Sequence, residues 1–344
     1  MYVSDLFVYP IKSLRPTKLQ EATFTRHGIL YDRCFMLCKI IEDSAGNQEL
    51  KNMHVPHFPA MSLFLTDLIL PDHGEADDGG RIIVTYQQPP VSENNATKTL
   101  HVPLQPEWDD MEETPIMMHQ SSMVGYKMGR KYSDWFSDRF GFPVILVYTG
   151  PNRRQVLGSM NPNVRRRMEQ GWLSSLADYV PSFGRKEDDG ILTFADCAAY
   201  MVVNDTSVKQ VSSRFKDGVE VDVTKFRPNV VVGGAESAWE EDYWEELAIG
   251  GTDRVQLALT SNCVRCRSLD VDYQTGGFHK TDDGLVFKKL TKDRRVDSGA
   301  KYSPVFGRYG FLKGDEATVI RVGDPVAVSK KATARTTFDW PGLS

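Results

Sequence analysis

The residues best equipped for chemistry lie in one short run, Ser261-Asn262-Cys263-Val264-Arg265-Cys266-Arg267. It follows an apolar segment from Arg254 to Thr260 and precedes Val271-Asp272-Tyr273-Gln274-Thr275-Gly276. Cys266 stands between two arginines, and neighbouring guanidiniums favour the thiolate, the form of cysteine that attacks electrophiles and binds soft metals. The Cys263 to Cys266 spacing has several meanings by itself. A zinc site needs two further ligands, and His54 and His57 are distant in sequence and poorly spaced for it. A redox dithiol belongs at a helix start in a βαβ setting, which this strand-rich neighbourhood does not offer. A pair of buried small hydrophobes is the third alternative.

Anion-seeking groups recur near turn signals: Lys12-Ser13 after Tyr9-Pro10, Asp32-Arg33 at a strand start, and Phe226-Arg227-Pro228-Asn229 before Val230. A guanidinium grips phosphate oxygens in pairs and a serine hydroxyl donates from close range, although each segment alone also suits an ordinary surface ion pair. Asn204-Asp205-Thr206-Ser207 precedes a helical pattern, so Thr206 or Ser207 is the expected N-cap, leaving backbone N–H groups at a positive helix end that can hold a phosphate.

These residues need a scaffold, and the chain reads as mixed and β-rich. Apolar or alternating segments bounded by Gly, Pro and Asp run from Tyr2 to Tyr9, Arg33 to Ile40, Arg81 to Tyr86, Pro143 to Tyr148, Val230 to Val232 and Thr318 to Val328. Helical spacing is confined to Tyr132, Trp135, Phe136 and Phe140, stopped by Gly141, and to Val208, Val211 and Phe215. Short strands with a few covering helices suit barrels or packed sheets. Polar stretches at His73 to Gly80, Gln87 to Thr99 and Pro151 to Gly190 read as loops. The last, with Arg153, Arg154 and Arg165 to Arg167, has the length of a lid or binding loop, an exposed helix and loop being the alternative.

The 344 residues, 41% of them hydrophobic, can bury a substantial core. Forty-one Lys and Arg against 46 Asp and Glu give a net charge of -5, which provides no global attraction to nucleic acid or an anionic membrane, so any anion site is local. Five cysteines, an odd number, argue for free thiols in a reducing compartment. The start, MYVSDLFVYPIKSL, lacks a signal-peptide plan, and no run approaches the roughly 20 apolar residues of a membrane helix. The expectation is a soluble intracellular protein, cytoplasmic, or on the mitochondrial outer membrane if an N-terminal anchor precedes this chain.

Taken in order, Tyr9-Pro10-Ile11-Lys12-Ser13, Asp32-Arg33, Phe226-Arg227-Pro228-Asn229, Arg265-Cys266 with Val271-Asp272 and Thr275-Gly276, and Ser303-Pro304-Val305-Phe306-Gly307 resemble the MOSC-domain proteins that carry an N-terminal β-barrel extension, the group that includes the mitochondrial amidoxime-reducing component. The resemblance spans about residue 2 to Val328. It implies a MOSC-type β-barrel plus a smaller N-terminal β-barrel domain, divided as 1–148, a connecting loop or lid at 149–190, the MOSC domain at 191–330 and a tail at 331–344. It also implies molybdenum held in molybdopterin, with Cys266 as the protein thiolate on the metal. By the same resemblance Lys12, Ser13, Arg33, Ser207, Arg227, Asn229, Arg265 and Tyr309 are cofactor-binding. Only Ser207 of its helix-start motif maps onto the family pattern, and Cys263 is a bystander or a redox neighbour, not a ligand.

The activity implied is reduction of N-hydroxylated substrates, amidoximes and hydroxylamines. Electrons would come from a cytochrome b5-type donor and an NADH-dependent flavoprotein reductase. The arginines of the long loop are the expected docking residues, and the acidic Glu236 to Glu246 segment is expected to be a solvated face. A non-catalytic carrier or sensor of molybdenum cofactor or sulfur is the alternative. The family's cofactor sulfurases add a pyridoxal-phosphate domain for which this length leaves no room.

Overall fold

The computed structural model describes residues 1–71, 79–92, 97–162, 190–216, 218–251 and 254–343. It is β-rich, with strand exceeding helix by 40% to 16%. Tyr2–Val8, Phe35–Glu42, Arg81–Tyr86, Val144–Tyr148 and Val230–Gly233 fall on the segments that alternation and bounding turns mark out. The Thr318 to Val328 stretch, read above as one strand, is two. Gly323, at φ 95°, and Pro325 break it into Thr318–Arg321 and Val326–Lys331, because neither continues an extended ladder.

The principal sheet has eight strands in the order Thr17–Leu19, Tyr2–Val8, Val230–Gly233, Tyr200–Asn204, Val305–Lys313, Val255–Val264, Trp244–Ile249 and Val326–Lys331. The sheet curls until its ends meet. Val3 N–H donates to the Asp324 carbonyl at 2.9 Å, and Val326 N–H to that of Met1 at 3.0 Å. Tyr200–Asn204 and Val230–Gly233 lie parallel, as a crossover through the Asp205–Ser212 helix requires. Tyr200–Asn204 is buried on both faces: Tyr200 and Val202 join the core within the curl, with Val230, Leu247, Leu257 and Phe311. Met201 and Val203 face a second cluster with Val211, Phe226, Cys263 and Phe306.

The N-terminal region forms a nearly closed barrel. Its five-stranded sheet runs Glu113–Met118, Ser121–Lys127, Val144–Tyr148, Phe35–Glu42 and Gln48–Asn52, beside the three-stranded Phe64–Ile69, Arg81–Tyr86 and Lys98–Pro103. Phe35, Leu37, Phe64, Ile82, Leu100, Phe136 and Leu146 fill the interior. The Arg130–Phe140 helix buries Phe136, a contribution of about 1.5–3 kcal/mol, and ends where Gly141 turns left-handed and donates to the Ser137 carbonyl at 2.8 Å. The two regions interlock, since the first strand of the chain pairs with Val230–Gly233.

Three sequence expectations are corrected. The Asp205–Ser212 helix is capped by Asn204, whose side chain accepts from Thr206 N–H at 2.9 Å, so neither Thr206 nor Ser207 is the N-cap. The acidic segment is no solvated face: Glu241, Asp242 and Trp244 are buried, and Asp242 is neutralised by Arg294 at 2.7 Å and Arg335 at 2.8 Å. Arg154 is unavailable for docking, being fully buried with its guanidinium on the Ala195 and Asp196 carbonyls. Arg153 points back to the Gly150 carbonyl at 2.9 Å, and Arg165 to Arg167 lie outside the described residues. No helix among the described residues is long and apolar enough to cross a membrane.

Candidate functional site

Three of the nine residues singled out by sequence occupy left-handed backbone: Ser13 at φ 71°, Arg33 at 52° and Arg227 at 55°. Side-chain-bearing residues pay roughly 1–3 kcal/mol for such conformations, and the surrounding structure must enforce them. For Arg227 the enforcement is visible. The Phe226 carbonyl accepts from Arg265 Nη2 at 3.0 Å, and the Arg227 carbonyl from Arg33 Nη2 at 3.4 Å. Phe226 itself stacks on Phe306 with ring centroids 3.8 Å apart.

Arg227 thereby reaches across the two regions. Its Nη1 donates to the Leu14 carbonyl at 2.9 Å, while its Nη2 is buried without a partner. A small recess opens here, lined by Ser13, Arg15, Ser62, Lys225, Arg227 and Ser268, with Tyr273 and Val55 at its side. Arg15 lies 3.6 Å over the Tyr273 ring and 3.4 Å from Asp222, and its Nε also lacks a partner. Lys225 sits over the same ring at 4.6 Å. Burial lowers the Lys225 pKa, opposed by Asp222, Asp270 and Asp272. Cations, hydroxyls and orphaned N–H donors of this kind are what a multiply charged oxyanion binds, although here Lys225 Nζ donates to the Leu269 and Val271 carbonyls, Ser13 to that of Met53 and Ser62 to that of Pro59.

Cys266 borders this recess. It is the exposed cysteine, and its Sγ lies 3.1 Å from the hydroxyl of Ser268. Of the two guanidiniums expected to bracket it, Arg265 is buried with Nη1 2.9 Å from Cys263 Sγ, and Arg267 covers the Phe278 ring at 4.1 Å. Burial raises the Cys263 thiol pKa, and Arg265 and Tyr309 oppose the rise. Arg265 and Tyr309 therefore act on Cys263, behind the exposed thiol. Among the described residues no three His, Cys, Asp or Glu side chains gather as metal ligands, so a zinc site built from Cys263 and Cys266 finds no further donors.

Several sequence candidates stand behind the recess. Arg33 pairs with Asp32 and donates to Asn229 Oδ1 at 3.2 Å, and Asn229 in turn accepts from Met201 N–H at 3.1 Å. Arg33 and Arg227 lie 4.7 and 4.3 Å from the Tyr9 ring centroid. Tyr9 is fully buried, its hydroxyl has no partner, and burial pushes its pKa up, so it stays a neutral O–H donor. Lys12 donates to the Phe194 carbonyl at 3.0 Å and pairs with half-exposed Asp196, which also meets His119 Nε2 at 3.1 Å. Ser207 is elsewhere engaged: buried, it donates to Glu241 Oε2 at 2.8 Å.

Sequence reasoning thus reached Ser13, Arg227 and Cys266 and missed Arg15, Lys225, Ser62, Ser268 and Tyr9. Arg15, Lys225 and Ser268 each lie one or two positions from a residue already marked. That proximity was the available signal; Ser62 offered none.

Residues 1–143 match the MOSC N-terminal beta barrel domain and residues 189–327 the MOSC domain. The chain is 26% identical over 332 residues to mitochondrial amidoxime-reducing component 1 of Mus musculus, covering 94% of this chain and 81% of that protein. It is 25% identical over 334 residues to the Homo sapiens protein of the same name, covering 94% and 82%. With the molybdenum cofactor sulfurase of Homo sapiens it shares 24% identity over 307 residues, 86% of this chain but 29% of the sulfurase.

Proposed function

Because the chain belongs to the MOSC-domain proteins with an N-terminal MOSC β-barrel domain, we propose that it is a molybdenum-cofactor-dependent oxidoreductase that reduces N-hydroxylated compounds, amidoximes and hydroxylamines among them. The observation that carries this reading is the exposed Cys266 thiol beside a recess of cations and unpartnered buried donors. The chemistry of the donor set fits the group. A pterin phosphate needs the kind of donors that Arg227, Arg15, Lys225, Ser13 and Ser268 present, and molybdenum is soft enough to take a single protein thiolate.

When bound, the cofactor would supply two-electron transfer of oxygen from an N–O bond. The protein's part is to hold it. Cys266 would release its proton and ligate the metal, and Arg227 would take phosphate oxygens with its spare Nη2. Arg33, Asn229 and Arg265 fix the backbone on which Arg227 is mounted. Lys12 and Tyr309 would support the site from behind, through Asp196 and Cys263. Two electrons and two protons per turnover would come from outside the chain. We infer a donor of the cytochrome b5 type, itself reduced by an NADH-dependent flavoprotein; a mitochondrial setting is supported by the names of the amidoxime-reducing relatives.

The test is metal and pterin analysis of protein from a molybdopterin-producing host, comparing wild type, Cys266→Ser and Arg227→Ala, followed by amidoxime turnover with a chemical reductant. Near-stoichiometric molybdenum and pterin, with pterin reduced in Arg227→Ala and turnover lost in Cys266→Ser, is the expected result. Cofactor without turnover would make the chain a carrier, and absence of molybdenum would overturn the reading.

A further inference from the structure

The N-terminal barrel has an open seam. Its two edge strands, Gln48–Asn52 and Glu113–Met118, face each other across a groove of about 490 Å³ whose floor includes Ile40, Leu50 and Ile145. One end is fastened, where Asn52 Nδ2 donates to the Met117 carbonyl at 2.7 Å.

The phase of each ladder shows which backbone groups face the groove. Met53 N–H donates to Leu37 at 3.0 Å and Asp43 N–H to Asn47 at 2.9 Å, so the inward-bonding residues of this strand are Asn47, Glu49, Lys51 and Met53. Alternation turns the N–H and C=O of Gln48 and Leu50 toward the seam. On the opposite edge Lys127 N–H donates to Glu112 at 2.9 Å, which turns Glu113, Pro115 and Met117 outward, in agreement with the Asn52 bond. Pro115 has no N–H, so the Gln48–Asn52 edge is the one that offers donors and acceptors in alternation.

The chemistry of the rim selects the occupant. Glu49, Glu112 and Glu113 border the groove, with Lys127 as the cation among its lining residues, paired to Glu112 at 3.1 Å. Beneath them Ile40 and Leu50 are only partly buried, against a satellite core containing Cys38, Ile116 and Ile145. Met117 leaves 62% of its surface exposed. An extended strand laid along Gln48–Asn52 would put alternate side chains down onto Ile40 and Leu50 and the others up on the face that carries Glu49 and, two residues on, Lys51, with Glu113 on the opposite edge.

We propose that this seam docks an extended segment of a partner protein in which Lys or Arg alternates with apolar residues, by strand addition to the Gln48–Asn52 edge. This rests on the barrel alone and is independent of the cofactor reading.

The experiment titrates the full chain with a fluorescent acetyl-Lys-Val-Lys-Val-Lys-Val-amide peptide, its backbone N-methylated counterpart, and a Glu-Val peptide of equal length. Saturable binding is expected for the first only, weakened at least about tenfold in the double variant Glu49→Lys/Glu113→Lys. Both glutamates are exposed, and an unchanged melting temperature verifies folding. Gln48→Pro, which removes a seam-facing N–H and no ladder bond, should weaken binding similarly. No saturable binding, equal binding of the N-methylated or Glu-Val peptide, or closure of the groove by a second copy of the chain would overturn the proposal.

Discussion

Ser207, on the first turn of the Asp205–Ser212 helix, donates its hydroxyl to Oε2 of Glu241 at 2.8 Å and accepts from Trp239 N–H at the same distance. The resemblance marks Ser207 as a cofactor contact, yet in this structure its hydroxyl is consumed inside the protein. A carboxyl group lies where an anion would meet the helix start, as the favourable end of the helix dipole allows.

Ser207→Ala should therefore act first on stability. It leaves the Trp239 N–H without its acceptor and takes from Glu241 Oε2 one of two donors, Asn204 Nδ2 at 3.0 Å being the other, at a cost of about 1–3 kcal/mol. Urea unfolding of cofactor-free protein measures this, and an unchanged midpoint with depleted pterin would instead make Ser207 a cofactor contact.

Glu241 predicts a pH dependence. Burial raises its pKa from the ordinary 4.5 to about 7, opposed by the hydrogen bond from Ser207. Between those values the unfolded chain has released the proton that the folded chain retains, so this group's contribution to stability falls as pH rises through the window and levels off above it. Glu241→Gln removes the titration. Its stability relative to wild type should climb between pH 5 and 8 by an amount on the order of 3 kcal/mol. Parallel pH profiles for the two proteins would refute this.

The cysteines should separate by access. Cys266 is exposed, Cys38, Cys197 and Cys263 are buried, and Cys34 is intermediate, with burial pushing its thiol to about 12. Brief treatment of the native protein with iodoacetamide should label Cys266 well before the other four. Peptide mass spectrometry reads the order, and early modification of Cys263 would contradict the packing around Arg265.

Arg33 and Arg227 approach one tyrosine ring but should fail differently. Removing Arg33 strands Asp32, a buried carboxylate that also accepts from Tyr9 N–H at 2.8 Å, so Arg33→Ala should cost about 3–5 kcal/mol. Arg227→Ala gives up one bond to the Leu14 carbonyl and a guanidinium aimed into the recess, and its larger effect should be on pterin retention. Thermal melts of both variants, with and without cofactor, separate the roles.

The β-rich class, most strand positions and the Cys266 run were legible because period-2 burial and turn residues are local signals. The site was legible only in pieces. That Arg227 meets Leu14, 213 positions away, depends on pairing between the first strand and Val230–Gly233, which no local pattern encodes. Glu241 and Asp242 read as solvated because charge runs usually are, whereas Arg294, Arg335 and Ser207, distant in sequence, neutralise or satisfy them. That Arg265 makes its direct contact with Cys263 Sγ was hidden for a related reason: adjacency in sequence does not fix side-chain direction at the end of a strand.

Tyr9 gives the sharpest separation between a structural and a functional role. Its ring fills a buried place that phenylalanine would fill equally, while its hydroxyl has no partner and carries a desolvation cost of about 1–3 kcal/mol. Were the ring all that mattered, Tyr9→Phe would stabilise the protein whether or not cofactor is bound. If the hydroxyl is held ready for the cofactor, the substitution should raise the melting temperature of the cofactor-free form and shrink the further rise that loading produces. Burial keeps the phenol protonated across the accessible pH range, so this difference should not change between pH 6 and 9, where an ionising group would make it drift. Melting curves of both forms of both proteins decide the matter, and an equal shift in the two forms would leave Tyr9 with packing alone.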